Sequence, residues 1–283
     1  NPGLLGLRGT SPSFVDDFAM AINFPVSLGA KLFATPGTLN APSAGYAAFT
    51  PEFHMDSNGD YVGGQFWNGR ASSLADQAEG PFLNDVEMMM PSEWAVVTRL
   101  KENSSYVKAF KDIYNINLDN IPGKANASAS LEAPAGVREA FRAVATAIGE
   151  FEKTDLFNRF TSKYDFSLVG RASLSSSEKR GLNLFNGRGG CSGCHTSEKS
   201  GGEYPLPPLF TNNKFYNIGV PRNQNIPNRP TPDIGLAGNP KVIEDGAASS
   251  ELGKHRVVSL RNVANTPPYM HNGVLSTLKQ VVH

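Results

Sequence analysis

Apolar residues recur at helical spacing in several stretches of the chain, and no stretch alternates apolar and polar residues as a strand would. Val137, Phe141, Val144, Ala145, Ile148 and Phe151 make one continuous stripe. It predicts the longest helix over 135–153, a core spine and not a ligand face. Pro91 and Ser92 open a second helix carrying Trp94, Val97 and Leu100, and Tyr106, Val107, Phe110 and Ile113 mark a third. Ser72 or Ser73 is placed to cap a shorter helix through Ala78, and Leu28 to Phe33 reads as a short helical piece. Residues 34–66 and 115–133 read as loop and linker, rich in Gly, Pro, Ser and Asn. Ser175-Ser176-Ser177-Glu178 is an N-cap run for a helix ending at Phe185, after which Gly187, Gly189 and Gly190 break the pattern. Prolines crowd 205–232, so 196–256 reads as loop.

Composition narrows the function classes. The chain has 283 residues, enough for two domains, divided here as 1–160 and 161–283. Lys+Arg and Asp+Glu balance at 26 each, which gives no basic footprint for nucleic acid. No apolar run is long enough to span a membrane. Asn1-Pro2-Gly3 opens with neither a basic nor an apolar region, so a mature product is expected.

The chain has two cysteines, and they fall in Cys191-Ser192-Gly193-Cys194-His195. This is C-x-x-C-H, the attachment signature of c-type haem. Two thiols add to the haem vinyl groups, and the adjacent His195 reaches the iron as proximal ligand. Zinc would need four ligands, and no second Cys or His pair lies nearby. The second axial position tunes potential and decides between electron transfer and chemistry. Met270, His255, His271 and His283 are its candidates within the chain. Haem of this type is attached outside the cytoplasm, so a periplasmic or cell-surface location is expected.

Three blocks carry a resemblance. They are Gln65-Phe66-Trp67-Asn68-Gly69-Arg70-Ala71, with Leu74, Gln77, Gly80-Pro81 and Val86-Glu87-Met88 behind it; Gly181-Leu182-Asn183-Leu184-Phe185 leading into Cys191–His195; and the run from Ser259 through Thr266-Pro267-Pro268-Tyr269-Met270-His271-Asn272-Gly273. In order and spacing, from about residue 28 to the end, the chain resembles the bacterial dihaem cytochrome c peroxidases and the related MauG-type enzymes. The resemblance implies a mainly α fold of two cytochrome c-like domains with long loops and haem-centred cores. It implies a peroxidatic haem in the N-terminal domain, an electron-delivering haem in the C-terminal one, and a calcium ion between them. Carried over position by position, Trp67 matches the tryptophan between the haems. Gln77 and Glu87 match the catalytic residues over the reactive haem, and Pro81 matches a pocket proline. Asn40, Thr266 and Pro268 match the calcium ligands, the last two through carbonyls. Hard oxygens suit calcium, and a buried carboxylate suits proton transfer within a peroxide.

The chain departs from the pattern in one place. The family's first C-x-x-C-H belongs between Leu28–Pro36 and Gly37–Ser43, and here those pieces nearly abut. The distal residues are retained, which favours a second haem carried by a segment missing from the sequence after Pro36 over a natural deletion. The residue that separates a peroxidase from a MauG-type enzyme is expected just past His283. Three readings therefore stand. The first is a peroxidase reducing hydrogen peroxide with electrons from a small cytochrome or cupredoxin, a homodimer being one option for its assembly. The second is a MauG-type oxidant of a partner protein. The third is a monohaem electron-transfer cytochrome c.

Overall fold

A computed structural model describes residues 37, 39–200, 205–226 and 233–283. The expected helical piece Leu28–Phe33 lies outside them. Within them the fold is mainly helical. The helices are α1 (Leu74–Leu83), α2 (Glu93–Leu100), α3 (Ser104–Tyr114), α4 (Val137–Glu152), α5 (Lys163–Leu168), α6 (Ser176–Asn186), α7 (Pro240–Glu244) and α8 (Leu278–Val282). Two small antiparallel pairs accompany them: β1 (His54–Met55) with β2 (Tyr61–Val62), and β3 (Phe215–Tyr216) with β4 (His255–Arg256).

The caps explain where the helices start. Ser73, Ser162 and Ser175 each accept from the backbone N–H three residues on, and Asp76, Asp165 and Glu178 answer with a carboxylate. Ser92 caps α2 through the Ala95 N–H. The α4 spine lies where its stripe predicts. It buries Val137, Ala140, Phe141, Ala143 and Val144 in one apolar cluster with Val96, Val97, Phe110, Leu118 and Ile121, and Ala145 is buried as well. The stripe's last member departs from expectation. Phe151 is 54% exposed and stands edge-on to Phe157, because α4 has by then passed the end of the core.

Two other expectations are corrected. α1 does not stop at Ala78 but runs to Leu83 through Pro81. Phe82 packs edge-on to Phe141, which holds the last turn in place. The stretch 115–133 does not behave as a linker, since Leu118, Ile121 and Ala127 are buried. Its backbone is tied down by Ser92 Oγ donating to Ala127 O, Trp94 Nε1 to Pro122 O and Lys101 Nζ to Ile121 O.

The segment 40–71 pairs with the C-terminal half. Asn40 N donates to His271 O, Tyr46 N to Phe157 O, and Val62 bridges to Lys214. Phe53, Tyr61, Phe215, Leu236 and Val242 form a second, smaller apolar cluster there. The loop 196–256 contains β3, β4 and α7. Strands of two residues are too short for alternation to announce them.

Candidate functional site

Helix α6 shows where the C-terminal half directs its apolar surface. It is amphipathic, yet none of its residues is buried by protein. Gly181, Leu184 and Phe185 instead line a cavity of about 1940 Å3, together with Cys191, Cys194, His195, Trp67, Met270 and His271. That volume exceeds the few hundred to about 1,000 Å3 usual for a small-molecule site. Both cysteines are free thiols, Cys191 opening a short 3-10 turn and Cys194 closing it, with four residues between α6 and the turn.

His195 is oriented from behind. Its Nδ1 lies 2.9 Å from the Phe210 carbonyl oxygen, which leaves Nε2 as the ring atom for a metal. Burial pushes the imidazole below its ordinary pKa, against the opposing pull of the Phe210 carbonyl, so the neutral ligating form is favoured. The backbone around Phe210 is itself braced. Arg261 Nε donates to Pro208 O, Ser259 Oγ to Leu209 O, and Thr196 Oγ1 to Thr211 O. Arg261 is buried against Asp165 in a two-pronged ion pair at 2.8 and 3.0 Å. An apolar cavity, two exposed or half-exposed thiols and an imidazole with one nitrogen already bonded fit a covalently attached haem. Bound there, haem supplies an iron centre able to cycle through oxidation states.

Trp67 forms part of the cavity wall. Its loop is closed by the Gln65–Ala71 bridge and pinned by Asn239 Nδ2 to Asn68 O and Arg256 N to Trp67 O. Glycine is required in this loop. Gly64 sits at φ +74°, where an added Cβ would meet Gly69 O at 2.3 Å. The indole is edge-on to both His255 and His271, whose own rings stack at 3.6 Å. Asp233 accepts from His255 Nε2 at 3.1 Å and completes this cluster, which sequence reading did not anticipate.

The structure places the other expected residues in two groups. Asn40 and Pro268 meet, with Asn40 Nδ2 2.7 Å from Pro268 O and 3.5 Å from Met270 O. Thr266 lines the same cavity as both. Turning the Asn40 amide over would add its oxygen to these carbonyls, a hard-oxygen set suited to calcium. Glu87, Gln77 and Pro81 do not line the cavity. Gln77 and Pro81 sit on α1, and Glu87 follows it, half-buried. Burial raises the Glu87 carboxyl above its ordinary range, although Asn84 and the Arg70 charge act in the other direction. Arg70 lies flat over Phe66, 3.6 Å from the ring centre, and feels the charges of both Glu87 and Asp233.

Fold and site together define a c-type haem protein class, and comparison with known proteins names the family. The di-haem cytochrome c peroxidase family model matches residues 16–173, more than half of the chain, and the chain belongs to that family. It is similar to the methylamine utilization protein MauG of Paracoccus denitrificans, 38% identical over 251 residues, covering 87% of this chain and 59% of that one. It is also similar to the cytochrome c peroxidase Ccp of Escherichia coli, at 29% identity over 87% of this chain and 42% of that one. The crystal structure of the dihaem peroxidase BthA from Burkholderia thailandensis superposes with a TM-score of 0.76 at 28% identity, over 88% of this chain and 57% of that one. The chain thus spans between about two fifths and three fifths of the length of these relatives. Among the described residues no helix is long and apolar enough to cross a membrane.

Proposed function

We propose that this chain reduces hydrogen peroxide, with electrons entering through a haem held by Cys191, Cys194 and His195. The observation that carries the reading is one cavity in which the C-x-x-C-H residues and Trp67 share a wall, with Glu87 a short distance along the same chain segment beside Arg70. Peroxide needs two electrons and two protons to become two waters. Glu87 supports the proton part. Its half-buried carboxyl, raised in pKa, can take a proton from one peroxide oxygen and hand it to the other. Trp67 supports the electron part, as an aromatic ring on the wall of the cavity that would hold the haem. Gln77, on α1, would supply an amide to the same pocket as Glu87. Asn40, Thr266 and Pro268 would hold calcium, which ties the Trp67 loop to the 266–271 segment. This reading includes a second haem on the Glu87 side, a periplasmic location and a small cytochrome or cupredoxin as donor.

A second reading is MauG-type oxidation of a partner protein. The 38% identity to MauG, against 29% to the Escherichia coli peroxidase, favours it. Stopped-flow turnover of peroxide with a reduced donor separates the two. Rapid donor oxidation supports the peroxidase. Peroxide consumption with no donor oxidation, but with a partner protein modified, supports the second.

A further inference from the structure

We propose that Arg256 is the charge partner of a haem propionate and turns the carboxylate edge of the porphyrin towards Trp67. The proposal rests on the reading that Cys191, Cys194 and His195 hold haem in the cavity they share with Arg256.

Arg256 is 6% exposed, as buried as many core residues. Its hydrogen bonds are long and all go to neutral acceptors: Asn213 Oδ1 at 3.2 Å, Thr50 Oγ1 at 3.4 Å and the Phe66 carbonyl at 3.4 Å. Its Nη2 makes none. Among the described residues no carboxylate forms an ion pair with it. Arg261, similarly buried, shows what the chain does where it supplies its own anion, taking Asp165 with both arms. A buried cation without a counter-charge is costly, so sites of this kind are completed by an anion from elsewhere. Burial alone lowers the guanidinium to about 10, which leaves it charged at neutral pH.

The anion must enter the cavity that Arg256 lines. The other cations on that wall are Arg188 and Arg222, both exposed, and Arg261, already paired. Haem brings two carboxylates. Thioethers to Cys191 and Cys194 would fix its vinyl edge, leaving the propionate edge to find the buried charge. One short stretch of chain sets both ends. Phe210 O positions His195, and three residues on, Asn213 Oδ1 accepts from Arg256. The Arg256 N–H donates to Trp67 O at 2.8 Å, so an anion on this guanidinium sits beside the Trp67 loop. Arg256 acts on the haem through its charge and direction, as a positioning residue.

The test uses the holoprotein matured with covalent haem, as wild type, Arg256→Met and Arg256→Lys. Haem staining of a denaturing gel first confirms attachment. The readouts are the reduction potential of the Cys191/Cys194 haem and its propionate bending band in resonance Raman. Arg256→Met lowers the potential and shifts the band, and Arg256→Lys keeps the potential near wild type. Unchanged potential and band in a haem-loaded Arg256→Met protein overturn the proposal. Should that variant not fold, Arg256→Lys decides, because a shifted band supports the pairing and an unshifted one refutes it. A wild-type chain that takes up no covalent haem sinks the functional reading itself, and the proposal with it.

Discussion

The indole Nε1 of Trp67 donates to the Asn40 carbonyl oxygen at 2.6 Å. One residue therefore touches both proposed elements, since the Asn40 backbone holds the tryptophan while its side chain meets Pro268 O. Calcium at Asn40, Thr266 and Pro268 would consequently stiffen Trp67. Asn40→Ala should weaken calcium binding by at least about tenfold, since even outer partners of a metal site cost that much. Titration calorimetry of the chelated protein measures this. Equal affinities in the two proteins would remove Asn40 from the calcium site.

Glu87→Gln should cut peroxide turnover by about 10^2 to 10^4. The haem at Cys191 and Cys194 should stay bound, because Glu87 does not line its cavity. Turnover within twofold of wild type would refute the acid–base role.

The same substitution has a stability signature. Burial raises the Glu87 carboxyl, so ionising it costs more in the folded chain than in the unfolded one. That cost is absent below the unfolded value of 4.5, where the group is protonated in both states, and it grows as pH rises through the folded value. Glu87→Gln should therefore gain stability at neutral pH and none in acid. Urea unfolding at the two extremes measures the difference, and an equal effect at both would contradict it.

Asp165 behaves in the opposite sense. Burial alone would raise it, but Arg261 and Ser162 outweigh burial and hold it below 3.8. Its contribution is present above 3.8 and is lost as pH falls through the lowered folded value. Asp165→Asn leaves Arg261 buried and unpaired, at a cost of about 3–5 kcal/mol at neutral pH. The loss should shrink in acid. A loss that does not change with pH would show that packing, not charge, is responsible.

The helical half was largely legible before the structure. The α4 stripe, the Ser92 cap and the Ser175–Glu178 box are local signals, and each lies where it was read. α5 was missed, although Ser162 and Asp165 form the same capping box. The buried role of 115–133 was not legible. Leu118, Ile121 and Ala127 follow no period, and Ile121, Pro122 and Ala127 are held by side chains from α2 and its caps. In the site, the C-x-x-C-H run is a local pattern and could be read directly. Arg256 and the Asp233–His255–His271 cluster could not. Their meaning lies in what surrounds them, the first in lacking an anion and the second in a stack built from distant segments. The available signal was the charged Lys254-His255-Arg256 run set just before Ser259-Leu260-Arg261.

Mass spectrometry of the tryptic peptide spanning Cys191 to His195, from protein made with a cytochrome c maturation system, tests the central claim most directly. The account predicts a peptide carrying one haem on both sulfurs, with no thiol left to alkylate. Two free, alkylatable cysteines in otherwise folded protein would contradict it.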